Sequence, residues 1–104
     1  MTDGAPVTVA CIQLAPVIGD AVASVARIDS GLRDAAAQGA QIIVLPELAN
    51  SGYMFADADE LRAAAQTIDG TYLAYLSATA DELGVVIASG FAELAKDGTL
   101  YNSA

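Results

Sequence analysis

Apolar residues gather in three short runs, and none of them alternates regularly with polar ones. Ile42, Ile43, Val44 and Leu45 are unbroken. Residues 7–14 place Val7, Val9 and Cys11 on one face and Ala10, Ile12 and Leu14 on the other, and residues 85–91 form a third run. A half-exposed strand would show polar residues at every second position, so these runs predict interior strands covered on both faces, as in parallel sheets. Between them the period changes to three or four. Asp20 can cap a helix to about Gln38, with Val22, Val25, Ile28, Leu32 and Ala35 on one face and Gly39 as its left-handed end. Gly31 inside that helix costs about 1 kcal/mol relative to alanine, and fits either a close helix-to-sheet contact or a tolerated glycine. Asp57 can cap a short second helix whose apolar face is Leu61, Ala64, Ala65 and Ile68. A third helix is expected over Thr71–Leu83, with Leu73, Leu76, Ala80 and Leu83 inward, Tyr72, Tyr75 and Thr79 toward one edge, and Gly84 as its stop. The turn Lys96-Asp97-Gly98 leads into a last strand over Thr99–Ala104, giving an antiparallel hairpin and so a mixed sheet in an α/β fold.

Length and composition narrow the function classes. At 104 residues the chain holds one domain at most. Its mean hydropathy of +0.48 is high, although alanine supplies much of it, and the apolar excess needs a cover. Thirteen acidic against four basic residues give a net charge of −9, which opposes the counterion release that holds proteins on nucleic acid, and disfavours anionic membranes. The apolar runs are far shorter than the ~20 residues of a membrane span, and Met-Thr-Asp-Gly lacks the basic start of a signal peptide, so a cytoplasmic protein is the expectation. One cysteine excludes an internal disulfide. The absence of histidine excludes Ser-His-Asp and Cys-His catalysis and the common zinc ligand sets, so no metal site is expected.

One carboxylate stands where chemistry is expected. Pro46 has no N–H to donate and ends strand pairing, so Glu47 falls at the carboxyl end of the 42–45 strand, the end at which open α/β sheets bind ligands. Partial desolvation there would make it a workable general base. Pro-Glu also fits the first turn of a helix, where glutamate faces the positive helix end, but Asn50-Ser51-Gly52 favours a loop. On these residues alone a catalytic and a structural role both stay open. Cys11 reads as a small buried hydrophobe, since neither a histidine nor a nearby lysine is present to activate it.

The stretch 39–48, Gly-Ala-Gln-Ile-Ile-Val-Leu-Pro-Glu-Leu, followed by Ser51-Gly52-Tyr53, resembles the first catalytic signature of the nitrilase superfamily of carbon–nitrogen hydrolases. Ala10-Cys11-Ile12-Gln13, Ala88-Ser89-Gly90-Phe91 and Leu100-Tyr101-Asn102-Ser103-Ala104 match that family's order and approximate spacing, so the resemblance covers essentially the whole chain. It implies a four-layer α-β-β-α sandwich, with helices on one face of each sheet and the other sheet against the opposite face. It also implies a Glu-Lys-Cys triad acting on a small-molecule amide, carbamoyl or nitrile, without a cofactor and in a homo-oligomer. The family pattern puts the glutamate on Glu47. Tyr53 is a weaker candidate for substrate binding as a pocket wall, with a loop aromatic covering the strand end as the equal alternative.

The family's lysine follows the Tyr-Asn-Ser-Ala strand and its cysteine comes later, so both are expected beyond Ala104. Lys96 precedes that strand and is expected only to solvate a turn; Cys11 sits at a packing position. The chain therefore reads as the N-terminal portion, residues 1–104, of one hydrolase domain, inactive by itself and with an apolar sheet face left uncovered. Two other readings compete. A non-catalytic α/β binding or assembly module would keep Glu47 for structure and unfold sharply, where a truncated sandwich would unfold broadly and bind hydrophobic dyes. A phosphate-binding, flavodoxin-like domain is disfavoured, because the first turn, Ala15–Asp20, lacks a glycine-rich cradle and carries an acid.

Overall fold

A computed structural model describes residues 4–104. In chain order the elements are β1 (Val9–Cys11), α1 (Ala21–Ala37), β2 (Ile42–Val44), α2 (Ala58–Ala64), α3 (Thr71–Leu83), β3 (Val86–Ala88), β4 (Phe91–Leu94) and β5 (Leu100–Ser103). The fold is α/β. β1, β2 and β3 form a parallel sheet in that order, in which Val9 pairs with Ile42 and Ile42 with Val86. β4 and β5 pair antiparallel as a separate hairpin, Phe91 opposite Ser103 and Leu94 opposite Leu100.

Local signals set the starts of α1 and α2 and the ends of α1 and α3 as expected. The Asp20 carboxylate accepts from the Ala23 N–H at 2.9 Å, and Asp57 accepts from the Glu60 N–H at 2.9 Å. After α1, Gly39 has φ 93°, its N–H donates to the Ala36 carbonyl, and the Ala40 N–H donates to that of Ala35. That pair of bonds satisfies carbonyls the helix would otherwise leave open. Gly84 closes α3 with φ 67°.

The core lies between the sheet and the helices on one of its faces. Ile28, Leu32 and Ala35 of α1 and Tyr72 and Leu76 of α3 pack with Ile43 and Leu45, and Ala10, Ile12 and Ile87 join them. Gly31 is the close contact: a methyl group there would stand 3.2 Å from the Ile12 side chain. Across the two helices the Tyr75 hydroxyl donates to Asp29 at 2.6 Å, and Arg33 bridges Asp29 and Glu82. The Tyr75 bond, then the Arg33 bond, holds the Asp29 carboxyl below its usual range, while burial and then Asp29 push the Tyr75 phenol up.

Several expectations are corrected. β1 and β3 are the edges of the parallel sheet, not interior strands, and the face carrying Val9, Cys11, Val86 and Ala88 is exposed. Cys11 is therefore exposed rather than packed. Residues 85–91 are not one strand: the chain leaves the parallel sheet at Ser89-Gly90 and enters the hairpin, so the two β units are distinct rather than one mixed sheet. Val22 is 83% exposed and Ser24 takes its inward place, its hydroxyl bonded to both the N–H and the carbonyl of Val17. Ile68 is 67% exposed because α2 ends at Ala64. Tyr72 and Thr79 are buried, not at an edge; the Tyr72 hydroxyl shares a 2.9 Å hydrogen bond with Ser89.

Candidate active site

β2 ends where the sequence places its stop. The Leu45 N–H makes a last bond to the Ala88 carbonyl at 2.8 Å, and from Pro46 the chain turns away with Glu47 at the corner. Leu48 has φ 48°, and among the described residues it is the one non-glycine with positive φ. Such a conformation costs about 1–3 kcal/mol and is kept only where neighbouring contacts over-determine it. Here the Ala49 N–H donates to the Gly90 carbonyl at 3.1 Å, and the Gly52 N–H closes back on the Leu48 carbonyl at 2.8 Å.

Asn50 carries the loop's remaining attachment. Its Oδ1 accepts from the Ala92 N–H at 3.0 Å and its Nδ2 donates to the Ala64 carbonyl at 3.3 Å, so the loop is bonded to both β4 and α2. Gly90 presses on the loop from beneath. A Cβ at Gly90 would lie 2.7 Å from Glu47 Cα, 2.9 Å from the Leu48 nitrogen and 3.0 Å from the Pro46 oxygen, all backbone atoms that cannot swing aside. The Glu47 backbone is therefore fixed by a position at which only glycine fits.

Both carboxylate oxygens of Glu47 have donors. Asn102 Nδ2, from β5, donates to Oε1, and the Tyr53 hydroxyl donates to Oε2 at 3.2 Å. Partial desolvation, and then the Glu47 charge, raise the Tyr53 phenol above its ordinary value, so it stays a donor across the neutral range. Glu47 opens onto a cleft of about 360 Å³ bounded by Val44, Ala88, Ser89, Gly90 and Asn102, at the carboxyl ends of β2 and β3. Glu47 itself is exposed in this chain, so the partial desolvation expected of it is not provided by these residues.

Tyr53 is 63% exposed and contributes its hydroxyl to Glu47 rather than a wall to that cleft. Lys96 is exposed in the 96–98 turn, as expected. Gly90 and Asn102 are the residues to which sequence reasoning gave no role. For Gly90 the signal was a lone glycine inside an apolar strand pattern, which marks close backbone approach. Asn102 falls within the Leu100–Ala104 match, but nothing beside it in the chain signals this contact, because its partner is 55 residues away.

A larger cavity, about 540 Å³, lies between the start of α1, the 50–55 loop, α2 and α3. Its carboxylates are committed elsewhere: Asp20 caps α1, and Glu60 accepts from the Ala56 N–H at 3.0 Å. Among the described residues no group of three His, Cys, Asp or Glu could hold a metal ion, and no helix is long and apolar enough to cross a membrane.

The chain is similar to known proteins along nearly its whole length. The family model described as "Carbon-nitrogen hydrolase" matches residues 8–104. A "Nitrilase" of Pyrococcus abyssi is 40% identical over 100 residues, which cover 94% of this chain and 37% of that protein. A crystal structure of an N-terminal amidase superposes with a TM-score of 0.75 at 23% identity, over 88% of this chain and 23% of that one. The amidase with a Gln-Val peptide gives 0.76 at the same identity and shares the fold equally. The chain thus spans about a third of the length of the curated relative it matches, and less of the solved structures.

Proposed function

The chain belongs to the carbon–nitrogen hydrolase family, and on that premise we propose that it forms the N-terminal part of one hydrolase domain, with Glu47 as general base. One observation carries the assignment. A single carboxylate stands at the carboxyl end of the central strand, facing a cleft, on a strained loop, with a donor on each oxygen. Strain and convergent polar groups concentrated at one strand end are how sites differ from surfaces.

The reaction this supports is cleavage of a non-peptide carbon–nitrogen bond in an amide or carbamoyl substrate, with a nitrile as the alternative. With an amide or carbamoyl substrate a cysteine thiolate attacks the carbon, the C–N bond breaks as ammonia or an amine leaves with an added proton, and water that gives its proton to the glutamate opens the thioester. With a nitrile the thiolate adds to the triple bond, and water adds to the thioimidate before ammonia leaves. Cys11 and Lys96 do not fill the remaining roles: one lies on the sheet face and the other in the hairpin turn. We assign the nucleophile and the charge-stabilising lysine to sequence that follows these 104 residues. The same reading supplies the second sheet of a four-layer sandwich against the exposed face of the parallel sheet. It needs no cofactor.

The test is Glu47→Gln in the intact hydrolase that carries this chain. General-base loss lowers kcat by about 10²–10⁴-fold with the fold retained. A glutamine variant that hydrolyses amide, carbamoyl and nitrile substrates at the parent rate would remove Glu47 from the mechanism.

A further inference from the structure

We propose that Asn102 is a positioning residue for Glu47, fixing the Oε1 side of the carboxylate so that Oε2 is the oxygen that takes the proton. This rests on Glu47 being the base.

The two donors to Glu47 are not equivalent. Asn102 sits in β5, directly opposite Ala92 of β4, and the Ala92 N–H is itself bonded to Asn50 on the Glu47 loop. The chain of contacts is closed: Glu47 and Asn50 share a loop, Asn50 holds Ala92, Ala92 pairs with Asn102, and Asn102 returns to Glu47. Gly90, one residue before β4, backs the same loop. Any displacement of Asn102 relative to Glu47 must break strand pairing or an asparagine bond. Tyr53 has no such support. It lies in the irregular 51–57 segment, outside the strand pairing that carries the likewise exposed Asn102, so its hydroxyl can give way to water or substrate.

Chemistry favours the same division. An ionised carboxylate only accepts, so the amide side of Asn102 must face it, and an amide does not titrate in the working range. Asn102 can therefore hold Oε1 throughout a proton-transfer cycle without competing for the proton. The phenol on Oε2 is replaceable, and that leaves Oε2 as the oxygen open to a reacting group.

The proposal is tested in the intact hydrolase with Asn102→Leu, Asn102→Asp and Tyr53→Phe. Misplacing a catalytic group by about 1 Å costs roughly 100-fold, so Asn102→Leu lowers kcat by about that factor while KM and the unfolding midpoint stay near parent values. Asn102→Asp keeps the side-chain shape but replaces a donor with an acceptor, and loses at least as much at neutral pH. Tyr53→Phe loses less than about tenfold. A readout independent of turnover is the Asn102 side-chain amide proton in NMR, which moves toward the free-asparagine position in Glu47→Ala and stays in place in Tyr53→Phe. An Asn102→Leu enzyme with parent kcat, or an amide resonance indifferent to Glu47→Ala, overturns the inference. If Glu47→Gln is inert while Asn102→Leu is fully active, only this inference falls; if Glu47→Gln is fully active, the base assignment falls first.

Discussion

Val9, Ile42 and Val86 stand side by side across the parallel sheet, and one residue further along each strand so do Ala10, Ile43 and Ile87. The two rows have the same apolar character and different surroundings. Ile43 is 0% exposed under α1 and α3, whereas Val9 and Val86 on the opposite face are 52% and 61% exposed. Hydropathy patterning reports which positions avoid water in the finished protein, not which part of the chain covers them. On the proposed reading, the apolar outer row of these strands marks where a second sheet would cover Val9 and Val86.

The comparison is broken most severely from the buried row. Ile43→Ala removes a fully buried side chain at the centre of the core, and large-to-small changes of this kind cost about 2–5 kcal/mol. An unfolding free energy from urea titration lowered by that amount is the expected result. A change within about 0.5 kcal/mol, the range of an ordinary surface substitution, would mean the helix layer does not cover this face as described.

Gly90→Ala comes next, because it attacks the junction between the parallel sheet and the hairpin. The added methyl meets three backbone atoms of the Glu47 loop, and overpacking of this sort costs about 1–3 kcal/mol. In the intact hydrolase it is expected to cut kcat as well, since the loop must shift with Glu47 on it. A variant with parent stability and activity would show that the loop yields freely, and the fixed-backbone account of Glu47 would fail.

These two residues also mark how far the sequence is readable. Asp20, Asp57, Gly39 and Gly84 act within a few positions of themselves, so the helix ends they mark were legible, whereas the stop of α2 at Ala64 was not. Glu47 at the end of β2 was legible too, because Pro46 and the unbroken run before it are local facts. The division of residues 85–91 into β3 and β4 was not. Ser89-Gly90 sits in an apolar context that continues a strand, and the redirection comes from contact with a loop more than 40 positions earlier. Ser24 was hidden for a related reason. A hydroxyl satisfied twice by Val17 can be buried, whereas hydropathy ranks it below the exposed Val22. Asn102 needed both sheets in place before its amide had anything to hold.

The smallest effect on stability is expected from the exposed row, and it sharpens the comparison most. Val9→Thr with Val86→Thr keeps the branched shape and the strand propensity, and changes the unfolding free energy of the 104-residue chain, measured at dilutions where the parent is monomeric, by no more than about 0.5 kcal/mol. Its consequence lies in association. A contiguous apolar face without a cover recruits one, so the parent chain is expected to self-associate with rising concentration, and the threonine pair to remain dispersed in light scattering. Cys11 lies on that face as the last residue of β1, two positions after Val9, and its exposed thiol reports the same event. Labelling of Cys11 should slow as the parent concentration rises and stay constant in the threonine variant. A parent chain that remains monomeric while its thiol reacts at one rate at every concentration would show that the face tolerates water. The case for a missing layer against it would then lose its physical ground, leaving the apolar pattern of β1 and β3 to be explained by strand propensity alone.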